Sequence, residues 1–172
     1  FFQTLEIKNI DILINNAGIS NCNKIEDITL QEWNNVLDVN LTSFFYIIKK
    51  SLPFMTRGSK IVNVSSIAGR SKSVVAGVHY TSSKAGIIGL TRQLAQELGP
   101  KGININCVCP SQTLTGMLEK NMTDEMILSL QKTIPLGRIA NVNEIVQPIM
   151  FLCSEKASYI HGACIDINGG QL

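Results

Sequence analysis

The stretch Lys60-Ile-Val-Asn-Val-Ser-Ser-Ile-Ala-Gly69 is an apolar run that ends in two serines and a glycine. A short apolar run bounded by turn residues is typical of a strand that is buried on both faces. Similar runs recur along the chain, and segments with helical periodicity separate them. The predicted strands are Ile10–Ile14, Lys60–Val64, Ile103–Val108 and Ala163–Ile167. Strands that alternate with helices in this way predict an α/β fold with a parallel sheet covered on both faces.

The helical segments carry start and stop signals that support this alternation. The first begins at Thr29, and Glu32 gives it capping-box spacing. A Gly-Pro pair follows the second segment and is a helix-stop signal. The approximate predicted helices are 29–53, 79–98, 117–132 and 141–153. Because no repeat, low-complexity segment or linker interrupts the chain, we expect residues 1–172 to form a single domain.

The composition excludes several classes of protein. The 172 residues are 45% hydrophobic and 16% charged, which is typical of a compact domain with its own core. A net charge of +2 with scattered basic residues argues against a nucleic-acid or membrane-surface partner. No apolar run approaches the roughly 20 residues of a membrane helix, and no signal peptide is visible, so we expect a cytoplasmic protein. The five cysteines lack a Cys-x-x-Cys pair, which favours buried thiols over a metal site.

Tyr80 and Lys84 lie one helical turn apart, on the row that we expect to face the core. A free phenol has a pKa of about 10, which makes it a poor acid or base at neutral pH. An ammonium about 5 Å away favours the phenolate by roughly 3 kcal/mol, or about two pKa units. The pair could therefore tune Tyr80 for general acid–base catalysis. Tyr46 and Lys50 have the same spacing, but there we favour helix packing with a solvated lysine.

Polar residues follow two of the predicted strands, where ligands of open parallel sheets bind. At the end of the Lys60–Val64 strand, Ser65 or Ser66 could hold a substrate oxygen, or Ser66 could simply cap a turn. After the first strand, the segment 15–18 reads Asn-Asn-Ala-Gly, which could let a flat ligand approach or form an ordinary turn. Asn40 falls on the apolar side of the first helix and must be hydrogen-bonded there. Its partner could be structural, or it could be water or Lys84 on a proton path.

Together these residues resemble the short-chain dehydrogenase/reductase family. Residues 15–18 match its Asn-Asn-Ala-Gly motif, and residues 109–113 resemble its Pro-Gly segment with Ser111 in place of the usual glycine. Residues 158–162 and 166–170 resemble its C-terminal stretch. Its catalytic tetrad is matched in order by Asn40, Ser66, Tyr80 and Lys84.

The resemblance implies a Rossmann-like doubly wound parallel sheet, of which this chain holds the C-terminal two-thirds with about four strands. The family's Gly-rich cofactor turn has no counterpart in the sequence. The resemblance also implies NAD or NADP as cofactor and no metal. The implied cofactor-binding residues are Asn16, Ala17, Gly18, Tyr80, Lys84, Pro110 and Thr113.

By resemblance, the protein reduces a carbonyl or oxidises an alcohol by hydride transfer. Tyr80 exchanges the proton with the substrate oxygen, Ser66 binds that oxygen, and Lys84 lowers the phenol pKa and binds the nicotinamide ribose. Asn40 positions a water that returns a proton to Lys84. The family usually forms homodimers or homotetramers through its two long helices, and we expect the same here.

Several hypotheses stay open at this point. The substrate style is closest to reductases of 3-oxoacyl thioesters on acyl-carrier protein, and sugar or steroid-type alcohols are the alternatives. The chain could also be a truncated, non-catalytic remnant, with an apolar edge exposed at its first strand and no affinity for the cofactor. A third hypothesis is an interaction module that kept the fold and lost the chemistry.

Overall fold

The computed structural model describes residues 8–114 and 123–172, and its centre is a four-stranded sheet. The strands are β1 (Ile12–Asn15), β2 (Lys60–Val64), β3 (Asn104–Pro110) and β4 (Cys164–Ile167), in that spatial order. All three pairings are parallel, with Leu13 opposite Ile61 and Val64 opposite Val108. The predicted α/β fold is therefore confirmed. The bounds of β2 are those predicted, and the other strands differ by one or two residues at their ends.

The first predicted helix is interrupted. It consists of α1 (Leu30–Leu37), a π-helical turn (Asp38–Thr42), α2 (Ser43–Ser51) and a 3₁₀ turn (Leu52–Phe54). Single π turns are frequent at functional sites, because the extra residue changes the direction in which side chains point. Here the π turn contains Asn40. The prediction of one continuous helix was wrong at this point.

The remaining helices follow the prediction more closely. They are α3 (Val78–Leu98), α4 (Asp124–Lys132) and α5 (Val142–Leu152), with 3₁₀ turns at Ile67–Gly69, Gly99–Lys101 and Glu155–Ala157. Residues 115–122, where the third predicted helix was expected to start, lie outside the described residues. At the start of α5, Asn141 and Glu144 form the reciprocal bonds of a capping box. That residues 1–172 form one domain stays a prediction.

Helices cover both faces of the sheet, as expected from its apolar strands. On one face, Ile61 and Ile105 pack against Ile48 of α2 and Leu98 of α3. On the other face, the strand residues Val62, Val64 and Val108 pack against Leu152 of α5. On the outer strand β1, the side chains of Ile12 and Ile14 are 49% and 43% exposed, so this strand is only partly covered. Among the described helices, none is both long and apolar enough to span a bilayer.

A chain of buried polar side chains ties the sheet to α3. Asn15 donates from Nδ2 to Asn63 Oδ1 at 2.8 Å, and Asn63 donates from Nδ2 to Thr91 Oγ1 at 2.9 Å. The Thr91 hydroxyl then donates to the carbonyl oxygen of Ile87 at 2.8 Å. Asn63 and Thr91 are fully buried, so each bond satisfies a group that has no access to water. The chain fixes β1, β2 and α3 relative to one another.

Two buried helical hydroxyls test the value of these bonds. Thr91→Val keeps the shape of the side chain but leaves Asn63 without its acceptor, so we expect a loss of about 1–3 kcal/mol in the free energy of unfolding. Ser51 is also buried, but its Oγ has no hydrogen-bond partner in the described structure. Ser51→Ala should therefore leave stability unchanged or raise it by up to about 1 kcal/mol. Urea denaturation of both variants measures the contrast, and equal losses would contradict it.

Candidate active site

Side chains from separate segments meet beyond the carboxyl end of β2. Ser66 lies two residues after β2, and Tyr80 and Lys84 lie on the first turns of α3. The side chain of Ser66 lies close enough to the Tyr80 hydroxyl to lower its pKa. The ammonium of Lys84 lies 5.6 Å from the centre of the Tyr80 ring. A phenol, a hydroxyl and an ammonium are thus brought together at one rim of the sheet.

The two serines after β2 have different roles. Ser65 is buried, and its hydroxyl donates to the backbone oxygen of Lys84 at 2.7 Å, which is a structural bond. Ser66 accepts from the backbone N–H of Ala68 at 3.1 Å and begins the 3₁₀ turn, while its hydroxyl also reaches Tyr80. Ser66 is therefore both the turn cap and a site residue. The turn lies so close to α3 that a Cβ on Gly69 would be 2.5 Å from the backbone of Lys84, which explains the glycine.

Lys84 is an almost fully buried lysine. Its Nζ donates to the backbone oxygen of Val64 at 3.0 Å and lies 6.0 Å from the centre of the Phe44 ring. Burial lowers its pKa to about 8, because the charged form loses its hydration. An ammonium has three donors, and within the described residues only the Val64 oxygen is bonded to this one. Two N–H groups are left for a ligand in the adjoining cleft.

The protonation of Tyr80 differs from the expectation. Burial raises the pKa of Tyr80, and the nearby Ser66 side chain offsets this only in part. The net shift of the Tyr80 pKa is thus opposite to the predicted one, and Lys84 is not among its causes. The physical reason is that the low-dielectric surroundings destabilise the phenolate, and the lysine is itself desolvated. At neutral pH, Tyr80 is therefore a protonated donor.

Asn40 makes three structural bonds from the π turn. Its Oδ1 accepts from the backbone N–H of Ile19 at 2.8 Å, and its Nδ2 donates to the Ile19 oxygen at 2.9 Å. Nδ2 also lies 3.1 Å from the hydroxyl of Ser83. Among the described contacts there is no direct bond from Asn40 to Lys84. However, a Cβ on Gly18 would lie 3.5 Å from Asn40 Oδ1 and 3.5 Å from Lys84 Nζ, so Gly18 lies between the two side chains.

Two clefts meet at Ser66 and Tyr80. The first has a volume of about 600 Å³, and all predicted cofactor-binding residues except Ala17 line it: Asn16, Gly18, Tyr80, Lys84, Pro110 and Thr113. Ala17 is exposed beside the cleft and does not form its wall. The second cleft, of about 400 Å³, is also lined by Tyr80, together with Val74, Val75 and Gln171. Tyr80 thus contributes to both clefts.

Ser111 stands where the resemblance leads one to expect glycine, and it lines both clefts. Its backbone N–H donates to Ile167 at 3.0 Å, so the strand pairing of β3 with β4 continues past Pro110. Its hydroxyl donates to the side-chain oxygen of Gln112 at 2.6 Å and also contacts that of Gln171. The backbone at Ser111 therefore keeps its strand pairing although a serine replaces the expected glycine.

A polar cluster that the sequence analysis missed holds the start of α3. His79 is fully buried, and its Nδ1 accepts from the backbone N–H of Tyr80 at 2.9 Å. Its Nε2 must then carry the proton, and it lies 3.2 Å from Glu32 Oε1. Glu32 also accepts from the amides of Asn21 and Asn23, at 2.9 and 3.0 Å. The cluster connects the loop after β1, the start of α1 and the residue next to Tyr80.

This cluster also corrects the predicted capping box at Thr29. The Thr29 hydroxyl accepts from the backbone of Glu32 at 3.1 Å, as predicted. The reciprocal bond is not formed, because the Glu32 carboxylate is directed to Asn21, Asn23 and His79 instead. Glu32 and His79 are 47 residues apart in the sequence, so no local pattern relates them. Within residues 8–114 and 123–172, no group of three or more His, Cys, Asp or Glu side chains could hold a metal.

Comparison with known proteins agrees with this architecture. A family model described as enoyl-(acyl carrier protein) reductase matches residues 3–171. An uncharacterised short-chain type dehydrogenase/reductase of Sinorhizobium fredii is 36% identical over 165 residues, covering 94% of this chain and 65% of that protein. The chain therefore belongs to the short-chain dehydrogenase/reductase family.

Among its relatives is the 3-oxoacyl-(acyl-carrier-protein) reductase FabG of Aquifex aeolicus, which is 41% identical over 171 residues. The alignment covers 96% of this chain and 66% of FabG, so the chain spans less than two-thirds of that relative. The crystal structure of a 3-oxoacyl-(acyl-carrier protein) reductase from Brucella melitensis superimposes with a TM-score of 0.88 at 33% identity, covering 94% of this chain and 63% of that one. The angucycline ketoreductase LanV with bound NADP gives a TM-score of 0.89 at 32% identity, with 95% and 63% coverage.

The buried ammonium makes a testable prediction about stability. Because the pKa of Lys84 is about 8 in the folded protein and 10.5 ordinarily, its charge destabilises the fold below pH 8. We expect Lys84→Met to raise the free energy of unfolding by about 1–3 kcal/mol at neutral pH. The gain should shrink as the pH rises from 8 to 10.5, where the folded wild type has lost this proton. Urea denaturation across this range measures it.

Lys50→Met is the matched control, since this lysine is exposed and also follows a tyrosine by one turn. It should change stability by less than about 0.5 kcal/mol at every pH. A Lys84→Met variant that is less stable than the wild type at neutral pH would contradict the desolvation argument.

The Glu32 cluster makes a second prediction. Hydrogen bonds from Asn21, His79 and Asn23 lower the pKa of Glu32 below 4.5. Its carboxylate therefore stabilises the fold fully above pH 4.5, and the contribution is lost as the pH falls through the lowered folded-state pKa. We expect Glu32→Gln to lower the thermal midpoint at neutral pH, with the deficit shrinking in acid. Glu26→Gln, at an exposed position, should leave the midpoint unchanged, and a similar loss in both variants would refute a specific role for Glu32.

Proposed function

We propose that this chain provides the catalytic part of an NAD(P)-dependent oxidoreductase, which reduces a carbonyl or oxidises an alcohol by hydride transfer. The observation that carries the proposal is the approach of Ser66 to the Tyr80 hydroxyl where the two clefts meet. Two hydroxyls at one point can both bind a single substrate oxygen. The relatives are named as reductases of 3-oxoacyl-carrier protein and as ketoreductases, which supports the same class of reaction.

The larger cleft suits a nicotinamide cofactor, which would supply or accept the hydride. Gly18 keeps the cleft open beside Lys84, since a Cβ there would lie 3.5 Å from its Nζ. The two remaining N–H groups of Lys84 suit the hydroxyls of a ribose. Pro110 and Ile145 give the cleft an apolar wall suited to a flat ring, and Asn16 and Thr113 add polar groups. A related Brucella melitensis reductase is described with bound NAD and LanV with bound NADP, so either cofactor is in keeping with the family.

In this proposal, Tyr80 donates its proton to the substrate oxygen during reduction and accepts it during oxidation. Its raised pKa keeps the phenol protonated at neutral pH, which suits the donor role. Ser66 donates a hydrogen bond to the same oxygen and stabilises its developing charge. Lys84 stabilises the phenolate that forms when Tyr80 loses its proton. This effect appears during the reaction, when a charge is present for the ammonium to stabilise.

We propose that Asn40 has a positioning role. Its two hydrogen bonds to the backbone of Ile19 hold the segment that contains Gly18 next to Lys84. A water between Asn40 and Lys84 could return a proton to the lysine, because both side chains approach the same point beside Gly18. Asn40 thus links the π turn to the proton path without touching the substrate.

The second cleft suggests the class of substrate. Val74 and Val75 give this cleft an apolar lining, and Gln112 and Gln171 add amide groups. A 3-oxoacyl thioester, whose acyl chain and second oxygen match these apolar and polar groups, is the favoured substrate, presented on acyl-carrier protein as in the names of the relatives. A sugar or steroid-type alcohol is the second candidate, because an aldohexose dehydrogenase of Thermoplasma acidophilum superimposes with a TM-score of 0.87 at 33% identity.

We further propose that the protein is a homodimer or homotetramer. On α2, Phe45 and Tyr46 are 49% and 56% exposed. On α3, Ala85 and Gly89 are exposed, and a Cβ on Gly89 would meet no atom within 4 Å. The exposed aromatic side chains and the small residues of α3 suit close packing between copies. Gly86 serves a different purpose, since it packs against Leu41 within the chain.

Tyr80→Phe tests the proposed chemistry. We expect kcat/KM for a 3-oxoacyl thioester with NADH or NADPH to fall by about 10²–10⁴, because the proton donor is lost while the ring still packs. Tyr46→Phe is the matched control and should retain full activity, since Tyr46 is a surface residue one turn before a lysine. Circular dichroism confirms that both variants keep the fold.

The two non-catalytic hypotheses predict different results. An interaction module predicts no turnover in the wild type and no effect of Tyr80→Phe on any measured property. A remnant predicts no heat of binding when NADH or NADPH is titrated into the chain. Turnover that survives Tyr80→Phe would disprove the role proposed for this phenol.

A further inference from the structure

We propose that Cys164 and Cys107 form a peroxide-sensitive dithiol that closes to a disulfide across the last two strands. The register of the sheet places them directly opposite each other on β4 and β3. Neighbouring strands are about 4.8 Å apart, which lies within the roughly 4.4–6.8 Å between Cα atoms that a disulfide requires. Both side chains pack on the same face, in the cluster with Phe44 and Ile87. This inference is independent of the proposed reaction.

A third thiol on the same face is less well placed than either partner. Cys109 lies two residues along β3 and is opposite Asp166, not a cysteine. The diagonal between Cys109 and Cys164 combines the strand spacing with two residues of rise and is about 8 Å, too long for a disulfide without backbone movement. Cys107 and Cys109 are two residues apart on one extended strand, so their Cα atoms are about 6.6 Å apart, at the upper end of the range that a disulfide allows. The geometry thus favours the pair that lies directly opposite across the two strands.

Cys164 has the properties of a thiol that reacts with the oxidant first. Cys107 has those of the second thiol, which then forms the disulfide. Cys164 is partly exposed, whereas Cys107 is fully buried behind it. A hydrogen bond with Cys107, followed by the charges of Arg92 and Arg70, lowers the pKa of Cys164. Hydrogen bonds with Cys109 and Cys164, together with burial, raise the pKa of Cys107. The partly exposed Cys164 thiol is therefore the more acidic of the two, and the buried Cys107 thiol is the less acidic.

The charged groups around Cys164 come from three elements. Arg92 lies on α3, Arg70 follows the 3₁₀ turn after Ser66, and Asp166 lies two residues along β4. Arg70 is paired with the carboxylate of Asp166 at 3.1 Å, so part of its charge is neutralised. Arg92 forms no ion pair within the described part of the chain, and its charge lowers the pKa of Cys164 more than that of Arg70 does. Cationic surroundings of this kind are typical of reactive cysteines.

The reaction with hydrogen peroxide balances without any other reactant. The Cys164 thiolate attacks one peroxide oxygen, the O–O bond breaks, and Cys164 becomes a sulfenic acid as hydroxide leaves. The Cys107 sulfur then attacks the Cys164 sulfur, the S–O bond breaks, and water leaves with the Cys107 proton. Two thiols are oxidised by two electrons, and one peroxide is reduced to water. A thiol reductant restores both groups.

Peptide mapping of the oxidised protein tests the proposal. The reduced protein is treated with hydrogen peroxide at neutral pH, alkylated and digested with trypsin without reduction. Cleavage after Lys101 and Lys120 leaves Cys107 and Cys109 in one peptide, and cleavage after Lys156 leaves Cys164 in another. We expect these two peptides to be linked, with the loss of two free thiols. Fragmentation of the linked species should assign the bond to Cys107 without any substitution.

Variants provide the matched controls. The link should persist in Cys109→Ser and disappear in Cys107→Ser and Cys164→Ser. A link that is lost in Cys109→Ser, or that fragmentation assigns to Cys109, would overturn the proposed pairing. Absence of any link at a peroxide dose that already oxidises the exposed Cys22 would overturn the proposed site.

Discussion

Lys84 joins the end of β2 to the start of α3, and the geometry of the whole candidate site depends on this contact. The hydroxyl of Ser65 bonds to the Lys84 backbone oxygen at 2.7 Å, and the Lys84 ammonium bonds to the Val64 oxygen at 3.0 Å. Gly69 allows the following turn to press against the same backbone. These contacts bring Ser66 into reach of Tyr80, which lies one helical turn before the lysine. The site is therefore built on two regular elements, and its geometry does not depend on a long loop.

The same contact has a cost in stability. A buried ammonium that bonds to one backbone acceptor does not regain the hydration free energy that it loses on burial. The lowered pKa of Lys84 reflects this loss. Tyr80 experiences the opposite shift for the same reason, because burial disfavours the phenolate as it disfavours the ammonium. In the proposed reaction, the ammonium lies where it can stabilise the negative charge that forms when Tyr80 loses its proton. Stability given up at this position is in keeping with a site selected for chemistry.

The loop after β1 is held in place by Asn40 and Glu32, whose side chains extend from the π turn and from α1. Asn40 clamps the backbone of Ile19 from the π turn, and Glu32 binds Asn21, Asn23 and His79 from α1. The loop after β1 is therefore fixed at several points, although it has no regular secondary structure. Because His79 also accepts from the N–H of Tyr80, the loop and the phenol are parts of one hydrogen-bonded unit.

The sequence by itself determined the α/β class, the four strands and the identity of Ser66, Tyr80 and Lys84 as neighbours. Apolar runs mark buried strands, and parallel strands bring their carboxyl ends to one edge, so these conclusions need only local patterns. Only the tertiary structure decided the π turn at Asn40, the partners of Glu32, the pKa direction of Tyr80 and the position of Cys107 opposite Cys164. Each of these depends on which groups from distant segments approach one another and on how much water they lose. Periodicity along the chain carries no information about either quantity.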